Sequence, residues 1–188
     1  GTGLWCVIGI LTLLEQRHRT GQGGVVDTAL FETALAWMGF HVTDLQATGK
    51  VPAAEGSGVR GIAPYQAYRC SDGYLVIAAA NDRLFAALAG ALGHSEWPGD
   101  PRFATNPDRY LNLDALNAIM EPVFLAEPRS LWQQRLSAAG VPCAPLQTLD
   151  EVIAHPQVEA LGLIEKSDDD DIPMVGVPLR FNDCRPPP

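Results

Sequence analysis

The sequence predicts a protein of the α/β class in which a β-hairpin is set among amphipathic helices. Two runs of strand-forming residues, 65–70 and 74–79, flank the turn-forming triplet Ser-Asp-Gly. In several other segments apolar residues recur at helical spacing. With 188 residues, of which 47% are hydrophobic, the chain is long enough to bury a core.

The first 48 residues are predicted to form a helix, a strand and a second helix. The first helix covers residues 3–18 and ends in the basic sequence Arg-His-Arg, before a stretch rich in glycine. Val25 and Val26 are predicted as a short buried strand, and Asp27 or Thr28 is expected to cap a helix over residues 30–48. Because these elements are apolar on most sides, we expect them to need cover from other protein.

The rest of the chain alternates short helices with extended segments. Residues 49–61 have no period and are predicted as a linker. After the hairpin, helices are expected over 83–92, 113–125 and 130–139, with a turn at 100–103 and an extended segment at 141–147. A short helix capped by Thr148 is expected to end at His155, before Pro156. Strands are predicted at 161–165 and 175–181, on either side of an acidic turn.

Charge and composition exclude several classes of function. The net charge of −9 and the pI near 4.8 disfavour nucleic-acid binding, because an acidic chain repels phosphate backbones. No apolar run approaches the roughly 18 residues that span a bilayer, and residues 1–14 lack the basic start and cleavage site of a signal peptide. The four cysteines form no CxxC pair, so we expect no zinc site and no disulfide framework. Reduced thiols in a cytoplasmic protein are the simplest interpretation.

Two places could bind a ligand. A glycine-rich loop can bring backbone N–H groups close to a phosphate or an oxyanion, or it can be a flexible linker; this loop is Gly56, Ser57, Gly58, Val59, Arg60 and Gly61. Asn81 lies between the hairpin and the next helix, where an amide could contact a ligand, although local sequence favours ordinary N-capping.

Other polar groups are not assigned to chemistry. The run Asp168, Asp169, Asp170 and Asp171 lacks the spacing and the glycine of a calcium loop, and it is predicted as a solvated turn. The four histidines are isolated from any serine or cysteine elbow. We therefore predict no catalytic residue and no metal ligand within the chain.

Five blocks of sequence, in order, resemble class III CoA-transferases, the family that includes formyl-CoA transferase, carnitine CoA-transferase and α-methylacyl-CoA racemases. The blocks are GTGLWCVIGILTLLEQRHRTGQGGVVDTALFETALAWM, GIAPYQAYRCSDGYLVIAAANDRLF, DPRFATNPDRYLN, AAGVPCAPLQTLDEVIAHPQV and VGVPLRF. The resemblance implies a Rossmann-like large domain, a small α/β domain inserted into it, and subunits interlaced as a dimer. Residues 1–48 and 148–188 would belong to the large domain or the linker returning to it. Residues 62–147 would form the small domain, and 49–61 a linker with the glycine loop.

The resemblance also implies a reaction, and it implies that the residue which starts this reaction is not in the chain. The family transfers CoA from an acyl-CoA to a carboxylic acid through an aspartyl-CoA intermediate, with no covalently bound cofactor. The nucleophilic aspartate would lie upstream of residue 1, so this chain is expected to be truncated and inactive alone. Residues 56–61 stand where formyl-CoA transferase has its mobile glycine-rich loop.

Three functions remain open from sequence. Asn81 stands where a racemase of the family has a glutamate that supports its proton-transfer histidine, which favours transfer over racemisation because an amide cannot replace that carboxylate. The alternatives are a racemase-like half and a non-catalytic remnant that binds CoA or a protein. In each case we expect a homodimer or a complex with a complementary chain.

Overall fold

The chain consists of two compact units, Gly1–Ala54 and Glu55–Pro188. A computed structural model describes residues 1–166 and 173–186. Helices and small antiparallel sheets together make a mixed α/β protein, which confirms the predicted fold class. The predicted acidic turn at Asp168–171 lies outside the described residues.

The first unit is helical. Helix α1 covers Thr2–Thr20 and ends at Gly21, whose backbone is left-handed (φ 73°). Helix α2 covers Leu30–Trp37 and α3 covers Gly39–Thr48, so the single helix predicted over 30–48 is broken at Met38. Helix α2 begins at Leu30, as predicted, but its N-cap is Ala29 and not Asp27 or Thr28. The Glu32 carboxylate accepts a hydrogen bond from the Ala29 N–H (3.2 Å).

The strand predicted at Val25 and Val26 is wrong. Residues 22–29 form an irregular segment, and the side chain of Val25 is 84% exposed. Two β-branched residues favour an extended backbone, but a strand also needs a neighbour with which to exchange hydrogen bonds. In this unit the chain on either side of the segment is helical and supplies no such neighbour.

The second unit is built on a three-stranded antiparallel sheet with the order β1-β2-β3. Strands β1 (Tyr65–Cys70) and β2 (Gly73–Ala78) form the predicted hairpin, with Tyr68 opposite Leu75, and β3 (Cys143–Pro145) pairs with β2. Helices α4 (Asp82–Ala91), α6 (Leu113–Leu125) and α7 (Arg129–Ala138) confirm three predicted helices. The structure adds two elements that were not predicted, a 3-10 turn at Trp97–Gly99 and the helix α5 at Asn106–Leu111.

The core of this unit lies between one face of the sheet and these helices. Alternate strand residues, Tyr68, Leu75 and Ile77 among them, point inward, as a half-buried sheet requires. They meet the apolar stripe of α6, where Leu116, Met120 and Phe124 are fully buried at helical spacing. Phe124 stacks on Tyr68 with 5.0 Å between the ring centroids.

The return segment differs most from prediction. Helix α8 (Leu149–Ile153) has the expected Thr148 cap, but a further helix that was not predicted, α9 (Pro156–Leu161), follows it. The strand predicted at 161–165 begins later, at Ile164. Strand β4 is Ile164–Lys166 and pairs with β5, Pro173–Val175. The strand predicted over 175–181 therefore overlaps β5 only at Val175, and Phe181 forms a single bridge with Cys184.

Candidate functional site

The glycine loop, residues 56–61, is held against the outer edge of strand β1. The backbone turns at Gly58, whose N–H donates to the Glu55 carbonyl (2.9 Å). The Val59 N–H then donates to the Tyr65 carbonyl of β1 (3.1 Å). The Ser57 hydroxyl accepts a hydrogen bond from the Ala67 N–H (3.0 Å). The loop is therefore a structured part of this unit, and part of its donor capacity is already used.

Glycine is required at the two ends of this loop. Gly56 and Gly61 have φ values of 60° and 78°, in the left-handed region that side chains with a Cβ disfavour. Gly56 begins the loop, and Gly61 leads the chain out of it into Ile62, whose N–H donates to the Val59 carbonyl (3.2 Å). The glycines thus fix a defined backbone path.

Asn81 caps helix α4. Its backbone is extended (φ −141°, ψ 169°), and its side-chain oxygen accepts a hydrogen bond from the Leu84 N–H at 2.9 Å. The side chain is exposed. Capping stabilises the first turn of the helix, so this asparagine has a structural role whether or not it also contacts a ligand.

A buried arginine that the sequence prediction missed connects these two places. Arg109, on helix α5, is completely buried. Its guanidinium donates to the carbonyls of Ala63 (2.8 Å) and Phe103 (3.0 Å) and to the carboxylate of Asp82 (2.8 Å). It also lies over the Phe85 ring, 4.5 Å from the centroid. One side chain thus joins the backbone just after the glycine loop to the residue next to Asn81.

A groove of about 370 Å³ opens beside the glycine loop. Apolar side chains of Val59, Ile62 and Leu113 line it, together with polar groups from loop, strand and helix: Glu55, Tyr65, Gln66, Tyr110 and Asp114. The Tyr110 hydroxyl donates to the Glu55 carboxylate (3.3 Å). The Glu55 carboxylate also faces Arg60, whose Nε lies 3.9 Å from Oε1. Of the two carboxylates in the wall, Asp114 therefore weighs more against an anionic ligand, and the wall suits a neutral or amide-bearing group.

The side chains that line the groove can form hydrogen bonds to a ligand and orient it. Of the described residues that line it, none is a serine, a cysteine or a histidine. Elsewhere in this unit, His94 stacks on Trp97 (4.4 Å between ring centroids), and the Nδ1 of His155 accepts from the Gln157 N–H (3.0 Å). These contacts account for both imidazoles as structural groups.

The buried thiol of Cys70 is not activated for chemistry. Burial, aided by nearby Asp72, raises the pKa of the Cys70 thiol to about 11, which disfavours the reactive thiolate. Over residues 1–166 and 173–186, no cluster of three or more metal-ligating side chains occurs. Within the same ranges, no helix is both long and apolar enough to cross a bilayer.

Comparison with known proteins identifies the family. The sequence profile of CoA-transferase family III matches residues 1–188. The chain is 35% identical over 180 residues to an acetyl-CoA:oxalate CoA-transferase of Acetobacter aceti, covering 96% of this chain and 46% of that protein. It is 30% identical over 196 residues to the human succinyl-CoA:glutarate CoA-transferase, covering 100% of this chain and 44% of that protein.

A solved structure agrees with the sequence comparisons. A CAIB/BAIF family protein from Brucella suis superposes with a TM-score of 0.83 at 38% identity, over 98% of this chain and 48% of that chain. The chain thus spans about half the length of the relatives it matches. Since the family profile covers every residue from 1 to 188, the chain belongs to CoA-transferase family III.

Proposed function

We propose that this chain is the C-terminal part of an enzyme that transfers CoA from an acyl-CoA to a carboxylic acid. The observation that carries the proposal is the family match over the whole chain, together with relatives named as transferases that act on oxalate and glutarate. We infer that the acceptor is a short carboxylic acid of this kind. The nucleophilic aspartate is proposed to lie in a segment outside residues 1–188.

The proposed reaction balances without a cofactor. The aspartate attacks the thioester carbonyl, and CoA leaves as a thiolate while a mixed anhydride forms. The thiolate then attacks the aspartyl carbonyl of the anhydride and releases the donor acid, leaving an aspartyl-CoA thioester. The acceptor carboxylate next attacks the aspartyl-CoA thioester, which releases CoA as a thiolate and forms a second mixed anhydride. The thiolate then attacks the acceptor's carbonyl in that anhydride, which gives the new acyl-CoA and restores the aspartate.

The glycine loop and Asn81 are proposed to contact the substrate in this reaction. Excluding water from the anhydride and thioester intermediates prevents their hydrolysis. A short loop fixed at both ends, in a unit with apolar and amide-bearing surface beside it, suits that task. Asn81 is proposed to offer its exposed amide to the substrate while it caps α4.

We also propose a division into domains and a dimer. Residues 1–48 and 148–188 would belong to the large domain or the linker to it, and residues 62–147 to the small domain. None of the residues of α1 is buried, and Leu4, Ile8 and Leu11 on it are 69%, 53% and 60% exposed. Apolar surface of this extent favours cover by other protein, from the same polypeptide or from a second copy.

A chimera tests the function. Residues 1–188 would replace the matching part of the Acetobacter aceti transferase, and CoA transfer from acetyl-CoA to oxalate or glutarate would be followed by separating the CoA esters. We expect turnover by the chimera and none by residues 1–188 alone. A well-folded chimera that transfers no CoA to either acid would overturn the proposal.

A racemase-like half remains the competing function, and the same chimera separates it. Racemisation requires a group that moves the α-proton, and an amide at position 81 does not support that step as a carboxylate does. Deuterium exchange at the α-carbon of a 2-methylacyl-CoA, without transfer to an acid, would favour the racemase.

A further inference from the structure

Helix α5 places two side chains on the backbone segment that ends the glycine loop. Asn106 and Arg109 are three residues apart, so they lie on one face of the helix. The amide of Asn106 donates to the Gly61 carbonyl (2.8 Å) and accepts from the Ala63 N–H (3.0 Å). Arg109 then donates to the Ala63 carbonyl (2.8 Å).

Together these hydrogen bonds hold the backbone from Gly61 to Ala63. The Asn106 amide pairs with the backbone as a neighbouring strand would, since it uses one donor and one acceptor on residues two apart. Ala63 is completely buried, so its N–H and carbonyl depend on these side chains for partners. We name Asn106 and Arg109 the α5 clamp.

The α5 clamp also reaches the start of helix α4. Arg109 bonds to Asp82, which follows Asn81 directly, and its guanidinium lies over Phe85 one turn further along. The exit of the glycine loop and the cap of α4 are therefore held by one helix. Neither side chain lines the groove beside the loop.

We propose that Asn106 and Arg109 are positioning residues that set where the glycine loop ends relative to Asn81. This proposal rests on the proposed function, because it assigns the loop and Asn81 to one substrate site. The clamp holds the loop exit without touching substrate. Loss of the clamp should leave substrate binding largely intact and impair the step for which the loop must be in place.

Nuclear magnetic resonance on residues 1–188 tests the clamp itself. Asn106→Ala removes both bonds, so exchange of the Ala63 amide should accelerate about tenfold or more. Asn106→Asp keeps an acceptor for the Ala63 N–H but loses the donor to Gly61, so the Ala63 amide should stay protected. In both variants the loop amides should become more mobile, while those of Leu75 and Ile77 in the core stay as in the wild type.

Asn112→Ala is the matched control. Asn112 lies at the other end of α5 and donates to the carbonyls of Arg102 (3.3 Å) and Asp108 (2.9 Å), neither of which is in the loop. We expect no change at Ala63 or in the loop. An Asn106→Ala protein whose loop and Ala63 amide match the wild type would overturn the clamp, as would equal effects of the Ala and Asp variants at Ala63.

Kinetics in the chimera test the consequence for catalysis. Asn106→Ala should lower kcat about tenfold with KM for the acyl-CoA changed less than about twofold, whereas Asn112→Ala should change neither. A raised KM with unchanged kcat would refute the positioning role. If the unmutated chimera is inactive, the proposed function fails, and the resonance experiment on residues 1–188 still decides the clamp.

Discussion

Replacing the buried Arg109 by methionine should destabilise the second unit strongly. Methionine has a similar shape but no donor, so the carbonyls of Ala63 and Phe103 lose their partners in residues that are 0% and 1% exposed. An unsatisfied buried acceptor costs about 1–3 kcal/mol. Two of them give an expected loss of about 2–6 kcal/mol in the free energy of unfolding.

The ion pair with Asp82 should contribute much less than the two carbonyl bonds. The Asp82 side chain is 60% exposed, so water can replace the arginine when the pair is broken. Ion pairs between two exposed side chains contribute about 0–1 kcal/mol, but here the guanidinium is fully buried. Asp82→Asn keeps a side-chain oxygen that can accept from Arg109, so it should cost less than Arg109→Met, and the comparison of the two variants separates hydrogen bonding from charge.

Urea unfolding measures both variants. Replacing Trp5 and Trp37 by phenylalanine leaves Trp97 and Trp132, which are buried in the second unit, as the fluorescent reporters. With a urea dependence of about 1–3 kcal/mol per molar, Arg109→Met should lower the midpoint by about 1 M or more. Equal losses in the two variants, or a loss below about 1 kcal/mol for Arg109→Met, would refute this account of Arg109.

Three further predictions concern the same unit. Gly73→Ala should cost about 1–3 kcal/mol in urea unfolding, because its φ of 154° disfavours a side chain and a Cβ there would lie 2.8 Å from the Nε of Arg129. Gly99→Ala, where a Cβ meets nothing within 4 Å, should cost less, and equal costs would contradict this explanation. The buried thiol of Cys70, with its pKa raised to about 11, should react with a disulfide reagent at pH 8 only after unfolding; rapid labelling of the folded protein would be inconsistent with its burial. The hydrogen bond from Arg129 lowers the pKa of Glu151 from 4.5 to about 2, so its contribution to stability is full above pH 4.5 and is lost as the pH falls towards 2. Exchange of the α8 amides against pH measures this, and a wild-type profile in Glu151→Gln would exclude the assignment.

The helices and strands that were predicted correctly are those whose sequence pattern lies within a single segment. The hairpin and helices α4, α6 and α7 follow from alternation, helical spacing and caps within each segment. Helix α5 was missed because its six residues are too few to display a period. The strand at Val25 and Val26 was predicted from propensity alone, and the neighbour that a strand needs cannot be read from two residues.

Residues of the candidate site were likewise found from sequence only where the signal lies within one segment. Composition located the glycine loop, and capping chemistry located Asn81 as the start of a helix. Arg109 was missed because its partners Ala63 and Asp82 lie 46 and 27 residues away in sequence. An arginine in a short polar helix resembles a surface residue until the tertiary contacts are known.

Residues 1–188 are proposed to be part of an enzyme that moves CoA between carboxylic acids. The most direct measurement follows acetyl-CoA and oxalate in the chimera with the Acetobacter aceti protein, with α-proton exchange of a 2-methylacyl-CoA recorded in parallel. We expect oxalyl-CoA as the product and no α-proton exchange. Proton exchange without any transfer of CoA would contradict it.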